Sequence, residues 1–251
     1  MSKQNNTHAH KAESYHIGRP DYPEAFFDYL YNEVSLPHDS IIADVGAGTG
    51  KNTKKFLEKS SKVFAVEPDK DMMKMLRSNL SQFPDCLFVG RTAEDTGIPA
   101  GSVDLIFCGN SYMWFDRSVV VPEFKRIIRA DNHQNIVIAR LGPGEDVYAG
   151  ELIEIDKKFS KPVSGRPPNN SPPFQHDIFV NKVFDYTLYQ DFNEFLHGCL
   201  SASSAPNTED DIFEDYVTSL RQLFEKYSNE GKLETRFKLF VVVGCVDNLA
   251  Q

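Results

Sequence analysis

Long apolar runs are missing from this chain, as are clustered cysteines, a basic charge excess and every tryptophan but Trp114. No stretch approaches bilayer-spanning length. The opening Met1-Ser-Lys-Gln-Asn-Asn-Thr-His8 lacks the apolar core of a secretory leader, so a soluble, cytoplasmic protein with no membrane partner is expected. Cys86, Cys108, Cys199 and Cys245 form no C-x-x-C pair and have no histidine at ligand spacing. No metal site is therefore expected, and Cys86, Cys108 and Cys245, in or beside apolar runs, read as reduced core thiols. The net charge of −9 disfavours a polyanion, whose binding usually demands a basic face, so no nucleic-acid partner is expected. Lys51, Lys54, Lys55, Lys59 and Lys62 are a local exception whose helical spacing reads as a solvated outer face.

What is present is 251 residues, 41% of them hydrophobic, enough for one α/β domain with an insertion. Residues 1–12 are polar and expected to be a disordered tail. Asp21 to Val34 carries Phe26, Phe27, Leu30 and Tyr31 at helical spacing, with Pro23 near its start. Strand-like runs follow at Ile41–Val45, Val63–Val66, Leu87–Val89, Val103–Phe107 and Ile136–Ala139, with helix-like segments between them. Continuous apolar strands alternating with helices predict a parallel sheet covered on both faces. Ligands of such sheets bind at the carboxyl ends of the strands.

Asp44-Val-Gly-Ala-Gly-Thr-Gly50 sits at one such end, where a buried strand turns into a helix over a backbone bare enough for a ligand to lie on it. The next apolar run ends in Glu67, placed to accept hydrogen bonds from a ribose diol. Together they point to a nucleoside-containing cofactor. A dinucleotide fingerprint would need glycine at Lys51, and a phosphate-binding P-loop would need glycine at Val45 and a hydroxyl at Asn52. The observed G-x-G-x-G, with an acid two residues before it, resembles motif I of the class I S-adenosylmethionine-dependent methyltransferases.

The resemblance extends in order over roughly residues 11 to 140. It implies a Rossmann-like α/β fold, with a mostly parallel seven-stranded sheet, an antiparallel last strand and helices on both faces. It also implies S-adenosyl-L-methionine as cofactor and S-adenosyl-L-homocysteine as product. Asp44, Gly46, Ala47, Gly48, Thr49 and Gly50 would form the cofactor loop, Glu67 would hold the ribose, and Pro68 and Met72 would lie against adenine. Gly90-Arg-Thr-Ala-Glu-Asp95 is similar to the family's segment at the adenine edge, through Thr92, Ala93 and Glu94. Gly109-Asn-Ser-Tyr-Met-Trp-Phe-Asp116 resembles the loop over the methyl donor and includes Asn110. Tyr15 and Arg19-Pro20-Asp21-Tyr22-Pro23 resemble a segment of the small-molecule branch related to trans-aconitate methyltransferases, of the methyltransferase type 11 or 25 kind. There that segment closes over the cofactor. Arg19 would either pair with the methionyl carboxylate or be a surface charge.

Beyond Arg140 the resemblance is loose. Tyr148–Phe159 and Ile212–Tyr227 read as amphipathic helices, Phe184–Tyr189 and Thr235–Cys245 as strands. The proline-rich 161–173 stretch is either a mobile linker or a lid over the substrate. Residues 13–251 are expected to form one methyltransferase domain, with 141–234 containing a substrate-capping insertion. No diagnostic base is visible. The loop after the fourth strand lacks the Asn/Asp-Pro-Pro-Tyr/Phe and Pro-Cys patterns of base-modifying relatives. Its Asn110–Phe115 stretch instead makes an aromatic wall suited to a small molecule. Tyr15, His16, Tyr112 and Trp114 are the catalytic or orienting candidates, with His176 and His197 behind them. In-line methyl transfer to a small metabolite is the leading reading. The alternatives are a non-catalytic nucleoside-binding module, an NAD-dependent oxidoreductase, and a protein or RNA methyltransferase.

Overall fold

The apolar runs become strands of one sheet. In the computed structural model, which describes residues 12–59, 61–129, 135–162, 168–175 and 179–250, the strands are β1 (Ile41–Val45), β2 (Lys62–Val66), β3 (Cys86–Val89), β4 (Leu105–Gly109), β5 (Ile136–Pro143), β6 (Phe179–Gln190) and β7 (Leu233–Gly244). They lie in the order β3-β2-β1-β4-β5-β7-β6. The pairs β1–β2, β2–β3, β1–β4 and β4–β5 are parallel, and the last strands run antiparallel. β1 is the centre of the parallel part, with Ile42 facing Val63 on one side and Leu105 on the other. Its residues 42–45 are all buried, which is why the strand reads as an apolar run broken only by Asp44. Strand order reverses at β1, and the crevice above β1 and β4 is where such a sheet receives ligands.

The helices are α1 (Ala12–Gly18), α2 (Glu24–Asp28), α3 (Lys51–Glu58), α4 (Lys70–Leu80), α5 (Arg117–Ile127), α6 (Ala149–Phe159), α7 (Phe192–Leu200) and α8 (Phe213–Tyr227). The helix expected over 21–34 is shorter, starting at Glu24 and loosening into a π-helical turn at Tyr29–Glu33. Side-chain caps fix other starts. Asp69 accepts from the N–H groups of Asp71 and Met72 ahead of α4, and Asp191 forms a capping box with Glu194 ahead of α7. Val103 falls outside β4 and makes only a lone bridge with Ile128. The disorder expected for residues 1–12 concerns a segment outside the described residues, apart from Ala12, which opens α1.

The chain divides into two compact units. The sheet unit comprises the described parts of 21–141, 166–184 and 239–251. On one face of its sheet, Val45, Ile106 and Cys108 pack with Val120, Phe124 and Ile127 of α5. Phe107 points the other way, as strand alternation requires. It meets Phe26 and Phe56 at centroid distances of 6.0 and 5.1 Å, and Phe27 packs edge-on against both at 4.9 and 5.5 Å.

The helical unit comprises the described parts of 1–20, 142–165 and 185–238. Its core is Tyr148, Phe159, Phe195, Tyr216, Leu220, Leu223 and Phe224. Here α1 and α7 cross through their glycines, since a Cβ on Gly18 would lie 2.0 Å from the backbone N of Gly198. Among the described residues, no helix is long and apolar enough to cross a membrane. Cys86 and Cys108 are buried as expected, whereas Cys245 is only half-buried.

Candidate functional site

The glycine loop leaves β1 and is tied at once to the end of β2. The N–H groups of Gly46 and Ala47 both donate to the Val66 carbonyl, at 2.9 and 3.0 Å. Gly46, Gly48 and Gly50 all have positive φ, at 79°, 58° and 88°. At Gly46 the requirement is double, because a Cβ there would lie 2.4 Å from Cβ of Ser111. The Ser111 hydroxyl in turn donates to the Val45 carbonyl at 2.6 Å, binding the loop after β4 to the end of β1. Gly50 caps α3 with no side-chain bond to the helix's free N–H groups.

Two carboxylates stand beside this loop. Glu67, 8% exposed, accepts from Gly48 N–H through Oε2 and from Asp69 N–H through Oε1, both at 2.9 Å. Burial raises its carboxyl above the ordinary range, and these two N–H bonds oppose the rise. Asp44 is deeper, 2% exposed, and its Oδ2 accepts from the Thr53 hydroxyl at 2.5 Å. Burial pushes Asp44 up to about 7; the Thr53 bond pulls it down and the Glu67 charge adds to the rise.

The adenine-edge candidates follow. Met72 and Ala93 are buried, while Pro68 and Thr92 are exposed. Glu94 accepts from the Asp116 N–H at 3.0 Å, so one of its oxygens braces the loop after β4. Asn110 takes a left-handed backbone, φ 57°, and stitches β4 to β5. Its N–H donates to Ala139 O, and its Oδ1 accepts from Leu141 N–H, both at 2.8 Å. Strain of this kind in a residue other than glycine collects at functional sites.

The aromatic wall is a single 3-10 turn, Tyr112–Trp114. Tyr112 is buried and its hydroxyl has no hydrogen-bond partner. Burial pushes that phenol far above its ordinary value, which keeps it neutral and suits it to orienting rather than to taking protons. Trp114 is 36% exposed. Part of the proline-rich stretch is docked here, with Asn169 N–H donating to Met113 O at 2.7 Å. Residues 163–167 of that stretch, and His176, lie outside the described residues.

The sheet unit thus gathers Asp44, Gly46–Gly50, Glu67, Met72, Ala93 and Asn110 around the carboxyl ends of β1, β2 and β4. Tyr15 and His16 stand on α1 of the helical unit and Arg19 follows it, its guanidinium 5.4 Å over the Tyr15 ring. His197 of α7 bonds the Ser14 hydroxyl through Nδ1 at 3.0 Å. Three contributors escaped the sequence reading: Thr53, Ser111 and Arg117. Thr53 stands one helical turn past the glycines, where a hydroxyl can return to Asp44. Ser111 and Arg117 act through contacts that no local pattern encodes.

Residues 43–133 match the family model described as a methyltransferase domain. An uncharacterised methyltransferase of Mycobacterium tuberculosis is 31% identical over 157 residues, 61% of this chain and 60% of the relative. One from Schizosaccharomyces pombe is 32% identical over 120 residues, 46% of this chain and 45% of the relative. The chain therefore spans 60% or less of the length of these relatives. Among solved structures, a candidate type II methyltransferase of Anaeromyxobacter dehalogenans covers 91% of this chain, and 98% of its own length is matched, with TM-score 0.61 and 19% identity. That likeness shows the fold, which is the Rossmann-like methyltransferase fold. The match of residues 43–133 to a methyltransferase domain agrees with the class I resemblance.

Proposed function

We propose that this methyltransferase domain is an active enzyme that binds S-adenosyl-L-methionine and methylates a small-molecule acceptor. The observation that carries the reading is the bond from Gly48 N–H to Glu67, which puts a carboxylate and a glycine-bare backbone side by side where strand order reverses. The residues fit the cofactor. Each Glu67 oxygen has a lone pair left after its backbone bond, so a ribose diol can still donate to both. Buried Met72 and Ala93 offer an apolar bed for adenine, edged by Pro68, Thr92 and Glu94. Asp44, Ala47, Thr49, Gly50 and Asn110 frame the rest, and Tyr15 and Arg19 are proposed for the methionyl end.

When bound, the sulfonium supplies a methyl group for in-line displacement by an acceptor nucleophile, leaving S-adenosyl-L-homocysteine. The protein's share is alignment, which converts a bimolecular step into a nearly unimolecular one. Ser111 ties the start of the loop after β4 to the end of β1, and Glu94, from the segment after β3, holds its other end at Asp116, so the aromatic turn keeps a fixed position. The acidic charge of the chain and that aromatic turn support a small, partly apolar acceptor over a polyanion.

Titration calorimetry with S-adenosylmethionine, S-adenosylhomocysteine, NADH and ATP tests the cofactor. Binding of the first two alone, on the micromolar scale, is expected. Preference for NADH would return the assignment to an oxidoreductase. Labelled donor incubated with a metabolite extract separates an enzyme from a non-catalytic binder, since only the enzyme passes label to an acceptor.

A further inference from the structure

Prolines 168, 172 and 173 leave the docked strap with carbonyls to satisfy and few N–H groups to satisfy them. Arg117, at the start of α5, supplies the missing donors. Its Nη1 donates to Pro172 O at 2.9 Å, and its Nη2 donates to Ser171 O at 2.8 Å and to Asn169 O at 3.4 Å. The strap answers with Asn169 N–H to Met113 O, and the Asn169 side chain turns back to accept from Ser171 N–H at 3.0 Å. Beyond this, Pro173 O accepts from Ala250 N–H at 2.8 Å and Gln175 N–H donates to Asn248 O at 2.9 Å, so the far end is anchored separately.

The guanidinium is held in an unusual way. Arg117 is 6% exposed and lies 5.1 Å over the Tyr112 ring. Among the described residues no carboxylate pairs with it, so strap carbonyls and one aromatic face hold a buried cation. Those carbonyls converge on it only while the strap keeps this shape. Two neighbouring polar atoms, Arg117 Nε and the Tyr112 hydroxyl, are buried without partners, which penalises the closed arrangement. Such a clasp is able to open.

We propose that Arg117 is a positioning residue, a latch that holds strap 168–175 on the Tyr112–Trp114 turn and thereby sets the aromatic wall facing the acceptor. The acceptor's place rests on the function proposed above, whereas the latch is testable apart from it. Trp114 is the only tryptophan and adjoins Met113, whose carbonyl receives the strap, so its emission reports on closure.

The test compares Arg117→Met, Arg117→Lys and Asn169→Pro with the parent chain, by acrylamide quenching of Trp114 and hydrogen exchange of the amides of Asn170, Ser171, Phe174 and Gln175. Arg117→Met is expected to raise the quenching constant about twofold and to speed exchange about tenfold. Arg117→Lys, which keeps the charge but not the fork, should fall between the two. Asn169→Pro removes the N–H to Met113 and the side-chain acceptor of Ser171 N–H, both at an exposed position of the strap, so it reports even where Arg117→Met fails to fold. S-adenosylmethionine affinity should stay within about twofold of the parent's, since the latch touches none of the proposed cofactor contacts. Unchanged quenching and exchange in folded Arg117→Met, or in Asn169→Pro where the former does not fold, would overturn the latch. Failure of the parent chain to bind the cofactor would sink the function and leave the latch result standing.

Discussion

The sheet unit and the helical unit differ in how much chemistry each shows in its own sequence. In the sheet unit, backbone direction, glycine spacing and one acid per strand end determine the site, so Asp44–Gly50 and Glu67 announce themselves. In the helical unit, Leu220, Leu223 and Phe224 keep helical spacing and build a core without indicating a ligand. A cofactor loop is constrained by backbone geometry, which has few solutions. An acceptor wall is constrained by shape, which has many. The proposed cofactor is therefore far more legible than the proposed acceptor.

The sharpest way to break that contrast is a pair of substitutions. Gly46→Ala forces a side chain into a left-handed backbone and against Ser111, and is expected to cost about 2–4 kcal/mol and to abolish measurable cofactor binding. Leu220→Ala empties part of a fully buried site and should cost about 2–5 kcal/mol in stability. Its cofactor affinity, measured well below the midpoint of unfolding, should match the parent's. Equal loss of binding in both would erase the distinction between the units.

Next in size is Glu67→Ala, which removes a charge-assisted acceptor contributing about 1.5–3 kcal/mol and should weaken cofactor binding at least tenfold. Calorimetry on the folded variant checks it. Unchanged affinity would remove Glu67 from the site.

A smaller effect lies in pH. Burial raises the Asp44 carboxyl from 3.8 to about 7, so between about pH 4 and 7 the folded chain holds a proton there that the unfolded chain has shed. Asp44's contribution to stability is thus complete below about pH 4 and declines as pH climbs toward 7. Denaturant unfolding from pH 5 to 7 should show a loss of about 1–2 kcal/mol that Asp44→Asn removes. An identical slope in both proteins would mean that the carboxyl is ionised throughout.

Legibility follows the range of the interactions. The parallel strands were readable because burial leaves them mostly apolar, β1 and β4 above all, and β1 has the limits its sequence suggested. The π-helical turn at Tyr29–Glu33 was not, since it has no distinctive local signal, and helix α7 was passed over although Asp191 and Glu194 stand at capping-box spacing at its start. Within the site, the Gly48–Glu67 pairing was implied by a strand offset. The Ser111–Val45 bond and the Arg117 clasp, which join positions 66 and 52–55 residues apart, had no sequence signature.

The lysine group shows the same limit at the surface. Its spacing suggested a solvated face, yet Lys51, Lys55 and Lys59 of the α3 segment meet Asp21, Glu24 and Asp28 around α2. The outer pairs stand at 3.2 and 3.1 Å, and hydrogen bonding to Glu24 raises the Lys55 amine above its ordinary value. The acids repeat at near-helical spacing, so one row answers the other, and either row alone reads as solvated. These pairs remain partly open to water, and each should contribute only about 0.2–1 kcal/mol. Lys55→Ala is expected to lower stability by less than about 1 kcal/mol at low salt and by almost nothing at 1 M salt, where screening shortens to about 3 Å. A loss that persists at high salt would mean that the lysine stem packs α3 against α2, and that the row belongs to the core rather than to the surface.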